Sequence, residues 1–355
     1  MRRETRRMSE QIDVPQRRGA VTIREVAEKA GVSQMTVSRV LNQPSLVKKE
    51  TTRRVQEAIK ALNYRPNLMA RGLAGGKSLL IGLIYNNPST NYLGEVLFGA
   101  INACGEQGHH LLVEDYLVDY ESLSVSALAN RFRESGVDGL IVVPPCGEVP
   151  KIARALKESG VHCVNISGSS SDSDTQFVAI NEAGAAGLMT SYLLEKGHRK
   201  IGFITGDMTH VSSGERQRGF IETLKANGIK PNPDYIVEGA FTYRSGMEGA
   251  QQLLGLKDPP TAIFASNDDM AAGVISAVQQ LGLQVPSDIS VAGFDDTAIA
   301  RTIWPGLTTV RQPISEMASQ AVTLFSNREA AGDANGSVLD VTLTIRDSVV
   351  APKKK

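Results

Sequence analysis

Cysteine is scarce. Cys104, Cys146 and Cys163 are the only three in 355 residues and stand far apart with no C-x-x-C, which leaves neither a disulfide framework nor a zinc ribbon. They read as reduced core thiols of a cytoplasmic protein. Long apolar runs are missing too: none approaches the roughly eighteen residues of a membrane helix, and the opening MRRETRRMSEQIDVPQRRG has no apolar secretory stretch. The five histidines, His109, His110, His162, His198 and His210, lack metal-ligand pairing, so they read as ordinary surface or core residues and no metal or cofactor is expected. G-x-S-x-G, G-x-G-x-x-G and a Cys–His pair at recognisable spacing are all absent, which argues against an enzyme.

Net charge is also absent overall, with 38 Lys+Arg against 38 Asp+Glu, but the signs are sorted along the chain. Residues 1–76 hold 16 basic against 7 acidic residues, and the remainder 22 against 31. A head of +9 on a body of −9 implies a polyanionic partner for the head. At 41% hydrophobic content, this length supports more than one buried core.

The head is organised by TIREVAEKAGVSQMTVSRVLN, residues 22–42. Thr22 followed by Glu25 is a capping box, so a helix is expected to open at Ile23 with Val26, Ala27 and Ala30 on its inner face. Gly31 permits a sharp turn, and Ser33 caps a second helix, Gln34 to Leu41. Val37, Val40 and Leu41 face inward there, leaving Gln34, Met35, Thr36, Ser38 and Arg39 outward. Residues 51–62 form a third amphipathic helix with Val55, Ala58, Ile59 and Leu62 inward. Such a pair of short helices is a helix-turn-helix, and an amide, two hydroxyls, a guanidinium and a soft apolar group suit base-pair edges. In PNLMARGLAGGK, residues 66–77, Pro66 ends the third helix and Leu68, Met69, Leu73 and Ala74 make an apolar face too short to stand alone. The near phosphate-loop spelling from Gly72 to Ser78 fails because its first glycine is one residue too close and the loop precedes its strand.

The run 22–42, with LNYRPN at 62–67 and ARGLA at 70–74, resembles the lactose/galactose repressor (LacI/GalR) family over nearly the whole chain beyond the first twenty residues. Lys48 stands where the family usually places a capping Ser, and Gly72 interrupts the hinge segment. The resemblance implies a hinge that folds on operator DNA and wedges Leu73 into the minor groove. The DNA-contacting set is then Thr22, Ser33, Gln34, Met35, Thr36, Ser38, Arg39, Asn42, Tyr64, Asn67, Ala70, Leu73 and Ala74.

From Leu79 the pattern changes to alternating apolar strands and amphipathic helices. Strands read at 79–85, 110–115, 139–144 and 161–166, then at 176–180, 200–205, 234–239, 261–266 and 289–294, with extended pieces at 307–313 and 338–343. The fold expected is an all-α helix-turn-helix domain plus an α/β core of two doubly wound parallel-sheet lobes. The resemblance adds three crossovers and a periplasmic-binding-protein-like hinge. The boundaries expected are 1–20, a disordered basic arm; 21–66, the DNA-binding domain; 67–76, the hinge; 77–348, the effector-binding and dimerisation core; and 349–355, a solvated basic tail. Within the core, lobe one spans about 77–175 plus 313–338 and lobe two about 176–312 plus 339–348.

Ligands of open α/β sheets sit beyond the carboxyl ends of strands. Ser212, Asn267 and Asp295 follow such ends, and Tyr92 closes the loop after the first strand. The resemblance implies effector contacts at Arg216, Phe241, Asn267, Asp295 and Gln312. Hydrogen-bonding groups beside an aromatic face suit a polyol. Asp268 and Asp296 are as readily helix caps, and Arg218 a surface residue. The function expected is a homodimeric repressor of carbohydrate genes that leaves a pseudo-palindromic operator when a sugar binds between the lobes. The alternative is the same regulator with a purine or other metabolite as co-repressor. A sugar-binding protein or enzyme without DNA function would not carry this head. No leucine heptads follow the last strand, which favours a dimer over a tetramer.

Overall fold

Thr22 opens the first helix by exchanging bonds with Glu25: its backbone N–H donates to Glu25 Oε2 at 2.6 Å, and the Glu25 N–H donates to Thr22 Oγ1 at 3.4 Å. The computed structural model describes residues 22–42, 47–62, 78–117, 119–166, 175–326 and 336–353. Two units divide the chain, 1–76 and 77–355. Expectations for the arm, for the hinge and for Tyr64, Asn67, Ala70, Leu73 and Ala74 lie outside the described residues.

In the first unit, helix α1 (Ile23–Ala30) ends at Gly31, whose φ of 63° is the left-handed conformation glycine adopts without strain. Helix α2 (Gln34–Asn42) starts from Ser33, with the Thr36 N–H donating to Ser33 Oγ at 3.1 Å. Helix α3 (Lys49–Leu62) opens two residues earlier than its apolar pattern suggested. Lys48 contributes only a carbonyl there, accepting from the Thr52 N–H at 3.0 Å. Val26, Ala27, Ala30, Val37, Val40, Val55 and Ala58 form one buried cluster. The Arg54 guanidinium donates to the Ala30 and Gly31 carbonyls, tying α3 to the end of α1.

The second unit holds two six-stranded sheets. The first contains β1 (Leu80–Ile84), β2 (His110–Val113), β3 (Gly139–Val142), β4 (His162–Ile166), β5 (Gln176–Ile180) and β11 (Gly336–Leu339), in the order β11-β5-β4-β3-β1-β2, all parallel. Helices α4 (Thr90–Gln107), α5 (Val125–Glu134), α6 (Pro150–Ser159) and α12 (Ile314–Ser326) accompany it. The second sheet contains β6 (Ile201–Ile204), β7 (Ile236–Val237), β8 (Ala262–Ala265), β9 (Ser290–Asp295), β10 (Thr308–Arg311) and β12 (Thr342–Thr344), in the order β12-β10-β9-β8-β6-β7. Only β12 runs antiparallel, against β10. Helices α7 (Glu182–Glu195), α8 (Val211–Ala226), α9 (Tyr243–Leu254), α10 (Asp268–Gln280) and α11 (Ala298–Thr302) belong with this sheet. Strands β1, β3, β6, β8 and β9 are buried almost throughout, which is why they read as continuous apolar runs.

The lobe boundary differs from the one expected. The QFVAI strand, assigned from sequence to lobe two, pairs with β4 and β11 and therefore belongs to lobe one. An apolar parallel strand carries no mark of which sheet it joins. The chain first changes lobes at Asn181, whose side chain caps α7 by accepting from the Gly184 N–H at 2.9 Å. It returns between β10 and α12 and crosses again between β11 and β12, so the single extended piece expected at 338–343 is two strands in two sheets. The tail expected from residue 349 starts later, since its first residues are tied to the second unit while Lys353 remains largely exposed. Val349 is buried, the Val350 N–H donates to Ser290 Oγ at 3.1 Å, and Lys353 pairs with Asp288 at 2.6 Å.

Candidate functional site

The carboxyl ends of both sheets in the second unit converge on a narrow recess between the two lobes. Asn87, Ser89, Tyr92 and Pro144 line it from lobe one, and His210, Ser212, Arg216, Phe241, Asn267 and Asp295 from lobe two. Six of the seven sequence-expected effector residues are thus brought together. The seventh, Gln312, sits just behind and donates from Nε2 to Asp295 Oδ1 at 2.6 Å.

Arg216 enters from the middle of α8 and is fully engaged on its inner side. Its Nε donates to Glu182 Oε2 at 2.7 Å and its Nη1 to the Ser266 carbonyl at 2.5 Å, while Asp295 Oδ1 lies 3.9 Å from Nη1. The guanidinium carbon stacks 3.7 Å above the Phe294 ring centroid. Burial pulls this group down, but the carboxylates of Glu182 and Asp295 more than offset it and hold it above its ordinary value. Burial likewise pushes the Asp295 carboxyl up, to about 7, against the opposing pull of Arg216 and the Gln312 amide. The Tyr92 hydroxyl is raised above its ordinary range by burial first and by the charge of Asp295 second.

Phe241 supplies the aromatic wall. Its φ is 57°, a conformation rarely adopted by bulky residues, and Asp295 at φ 119° shares this departure. The Asn267 amide holds the Phe241 carbonyl by donating to it at 3.0 Å, while Asn267 Oδ1 caps α10 by accepting from the Met270 N–H at 2.9 Å. A Cβ at Gly206 would lie 2.0 Å from Phe241 Cζ, so only glycine at the end of β6 lets the ring in. Against Phe241 stands His210, 5.5 Å between centroids and 15° from parallel. Burial lowers the imidazole's pKa, which favours the neutral ring.

His210, read from sequence as an ordinary surface or core residue with no metal-ligand partner, lines the recess. Asn87, Ser89 and Glu182 are further residues the sequence argument did not single out. Glu182 follows the carboxyl end of β5, so the strand-end rule would have found it had β5 been placed in its own sheet. Asp268 is buried and caps nothing. It accepts from the Thr297 N–H at 2.8 Å and from Thr309 Oγ1 at 2.6 Å, while Asp296 pairs with Arg346 at 2.6 Å. Arg218 is on the surface, paired with Glu215 and Glu222. Ser213 Oγ and Gln312 Oε1 are buried without a hydrogen-bond partner among the described residues. No cluster of metal-ligating side chains occurs among the described residues, and no helix among them is long and apolar enough to cross a membrane.

In the first unit, Gln34, Met35 and Arg39 are exposed on α2, Met35 to 64%, with Thr36 and Ser38 half-buried beside them. Thr22 and Ser33 are exposed, but their hydroxyls serve the helix starts: Thr22 Oγ1 donates to Glu25 Oε2 at 2.8 Å, and Ser33 Oγ lies 2.9 Å from Thr36 Oγ1.

A surface for reading DNA and a two-lobed cleft for a small molecule together define a ligand-responsive transcription regulator. Comparison with known proteins agrees: residues 22–67 match the bacterial regulatory proteins of the lacI family, and residues 190–349 match the periplasmic binding protein-like domain. The HTH-type transcriptional repressor PurR of Mannheimia succiniciproducens is 34% identical over 334 residues, covering 92% of this chain and 98% of that protein. The lac repressor dimer bound to operator and the anti-inducer ONPF is 30% identical with a TM-score of 0.78, covering 94% of this chain and all of that one. The transcriptional regulator CelR in complex with cellobiose is 27% identical with a TM-score of 0.70, over 93% of this chain and all of that one. The chain belongs to the LacI family of DNA-binding transcriptional repressors.

Proposed function

We propose that this repressor acts in the cytoplasm as a homodimer on a pseudo-palindromic operator, and that its cleft takes a purine-type base as co-repressor. On DNA, Gln34, Met35 and Arg39 choose bases, with Arg39 placed for a guanine edge. Thr36 and Ser38 flank them, and Thr22, Ser33 and Asn42 set the register through the backbone. Tyr64, Asn67, Ala70, Leu73 and Ala74 complete the contact set through the hinge. Support for a dimer comes from the lac repressor, seen as a dimer on its operator.

The purine reading is preferred to the carbohydrate one on a single observation. The rings of His210 and Phe241 stack near-parallel on one another at the recess, and a planar heterocycle extends such a stack better than a puckered ring. Asp295, Arg216 and the unpartnered Gln312 Oε1 supply the in-plane donors and acceptors such an edge needs. End-to-end similarity to a repressor named PurR, for purine, points the same way. The carbohydrate reading keeps one support, the likeness to CelR in complex with cellobiose.

Titration calorimetry of the full chain against adenine, guanine and hypoxanthine, with cellobiose and lactose alongside, tests the choice. A purine base that binds and tightens operator binding carries the proposal. A disaccharide that binds and releases operator overturns it.

A further inference from the structure

At the edge of the recess the two lobes are joined by hydrogen bonds to a carboxylate that does not line it, although one of the donors, Ser89, does. Asp269 is the second residue of α10 in lobe two, and its carboxylate reaches across to lobe one. Oδ2 accepts from Ser89 Oγ at 2.5 Å and Oδ1 from Asn91 Nδ2 at 2.6 Å. Its neighbours point elsewhere: Asn267 lines the recess, and Asp268 is buried against Thr297 and Thr309. Three successive residues thus serve ligand, lobe interior and opposite lobe. Ser89 is itself the N-cap of α4, so the Asp269 carboxylate lies at the N-terminal ends of two helices, α4 and α10, where the helix dipoles favour an anion. A second carboxylate bridges in the opposite sense. Glu148 of lobe one accepts through Oε2 from the Val211 N–H at the start of α8 in lobe two, 2.8 Å away.

We infer that Asp269, with Asn91 as its partner, is a positioning residue of the allosteric response: a carboxylate clasp that sets how far the lobes close without touching the effector. Charge-assisted bonds to two donors favour the closed arrangement by enough that their loss moves the closure equilibrium about tenfold to a hundredfold toward open. Glu148 is the companion clasp. Because each pairs a carboxylate of one lobe with donors of the other, separation of the lobes breaks both.

The clasp is tested without any effector, so a blank purine panel leaves it standing. Small-angle X-ray scattering of the full chain is compared for wild type, Asp269→Ala, Asn91→Ala and the double variant, with circular dichroism to verify the fold. Either single variant is expected to shift the distance distribution to longer separations. The double variant is expected to go no further than the larger single effect, since both remove one interaction. Superposable scattering from folded Asp269→Ala and wild type, or effects of the two substitutions that add, overturns the assignment. Should Asp269→Ala fail to fold, Asn91→Ala, on the half-buried rim, carries the same test alone.

Discussion

Gln312 donates from Nε2 to Asp295 Oδ1 at 2.6 Å; Asp295 ends β9, and Gln312 directly follows the neighbouring parallel strand β10. Gln312 is also the last residue before the chain returns to lobe one at Pro313. The acid of the candidate effector site is therefore bonded directly to a segment on which the lobes turn. A ligand that competes for Asp295 alters that hydrogen bond, which gives binding a route through Gln312 to the crossover.

The raised Asp295 carboxyl has a measurable consequence. Burial lifts it from 3.8 to about 7, so between roughly pH 4 and 7 the folded chain holds a proton that the unfolded chain has released. This contribution to stability is fully present below the unfolded value and is lost as pH rises through 7. Asp268 is raised in the same direction and adds to the slope in every variant that keeps it. Asp295→Asn removes the first share and, because the charge of Asp295 is one cause of the Asp268 shift, part of the second: its stability relative to wild type is expected to rise by at least on the order of 1.4 kcal/mol for each pH unit across that window. Urea unfolding followed by Trp304, the single tryptophan and a member of the second unit, is the measurement. A variant-to-wild-type difference that is flat from pH 4.5 to 6.5 would mean that Asp295 is already ionised there.

Glu182→Ala leaves the Arg216 Nε without its acceptor inside a site where both side chains are at most 8% exposed. Removing one member of a buried pair strands the other's charge, at a cost of about 3–5 kcal/mol. Glu182→Gln keeps an acceptor oxygen and should cost distinctly less. Denaturant midpoints of the two variants decide it, and a Glu182→Ala protein within about 1 kcal/mol of wild type refutes the assigned role.

The order in which these residues could be found follows from what sequence patterns encode. The capping box at Thr22 and Glu25 and the inward set of α1 and α2 are local, so spacing alone located them. Arg216, Phe241, Asn267 and Asp295 were accessible because strand ends and family motifs mark them. Glu182 and the sheet membership of QFVAI depend on which of two similar sheets accepts a strand, a tertiary choice invisible to an apolar run. His210 needed its stacking on Phe241 to be seen, and that contact spans thirty-one positions held together by Gly206 and Asn267. Asp269 is the third of three successive polar residues, Asn267-Asp268-Asp269, and is not singled out from sequence. Only the fold separates its direction from those of Asn267 and Asp268.

If His210 and Phe241 form the wall for a planar effector, truncating either ring loses buried aromatic area and the stacking gain together. His210→Ala and Phe241→Ala are each expected to weaken binding of the purine base found by calorimetry about tenfold to a hundredfold. Operator affinity measured without effector should remain near wild type, because neither residue belongs to the first unit. Equal loss of operator binding in effector-free protein would assign the pair to folding instead of recognition.

On DNA the informative residue is Arg39. Val37 and Val40 are buried in the core of the first unit, which fixes the rotation of α2 and leaves Arg39 exposed alongside Gln34 and the 64% exposed Met35. A guanidinium in that place can meet a guanine edge with two hydrogen bonds, a discrimination of about 1–3 kcal/mol against other bases. It can also do no more than neutralise a phosphate, in which case specific and non-specific binding fall together and the salt dependence of log K loses about one unit of slope. Arg39→Ala separates these. Operator sites selected from a random pool by the wild type, then titrated with the variant at several salt concentrations, should show specificity relaxed at one position per half-site while non-specific affinity changes little. A uniform drop across all sequences would move Arg39 from base reading to backbone attraction and leave Gln34 and Met35 to choose the operator.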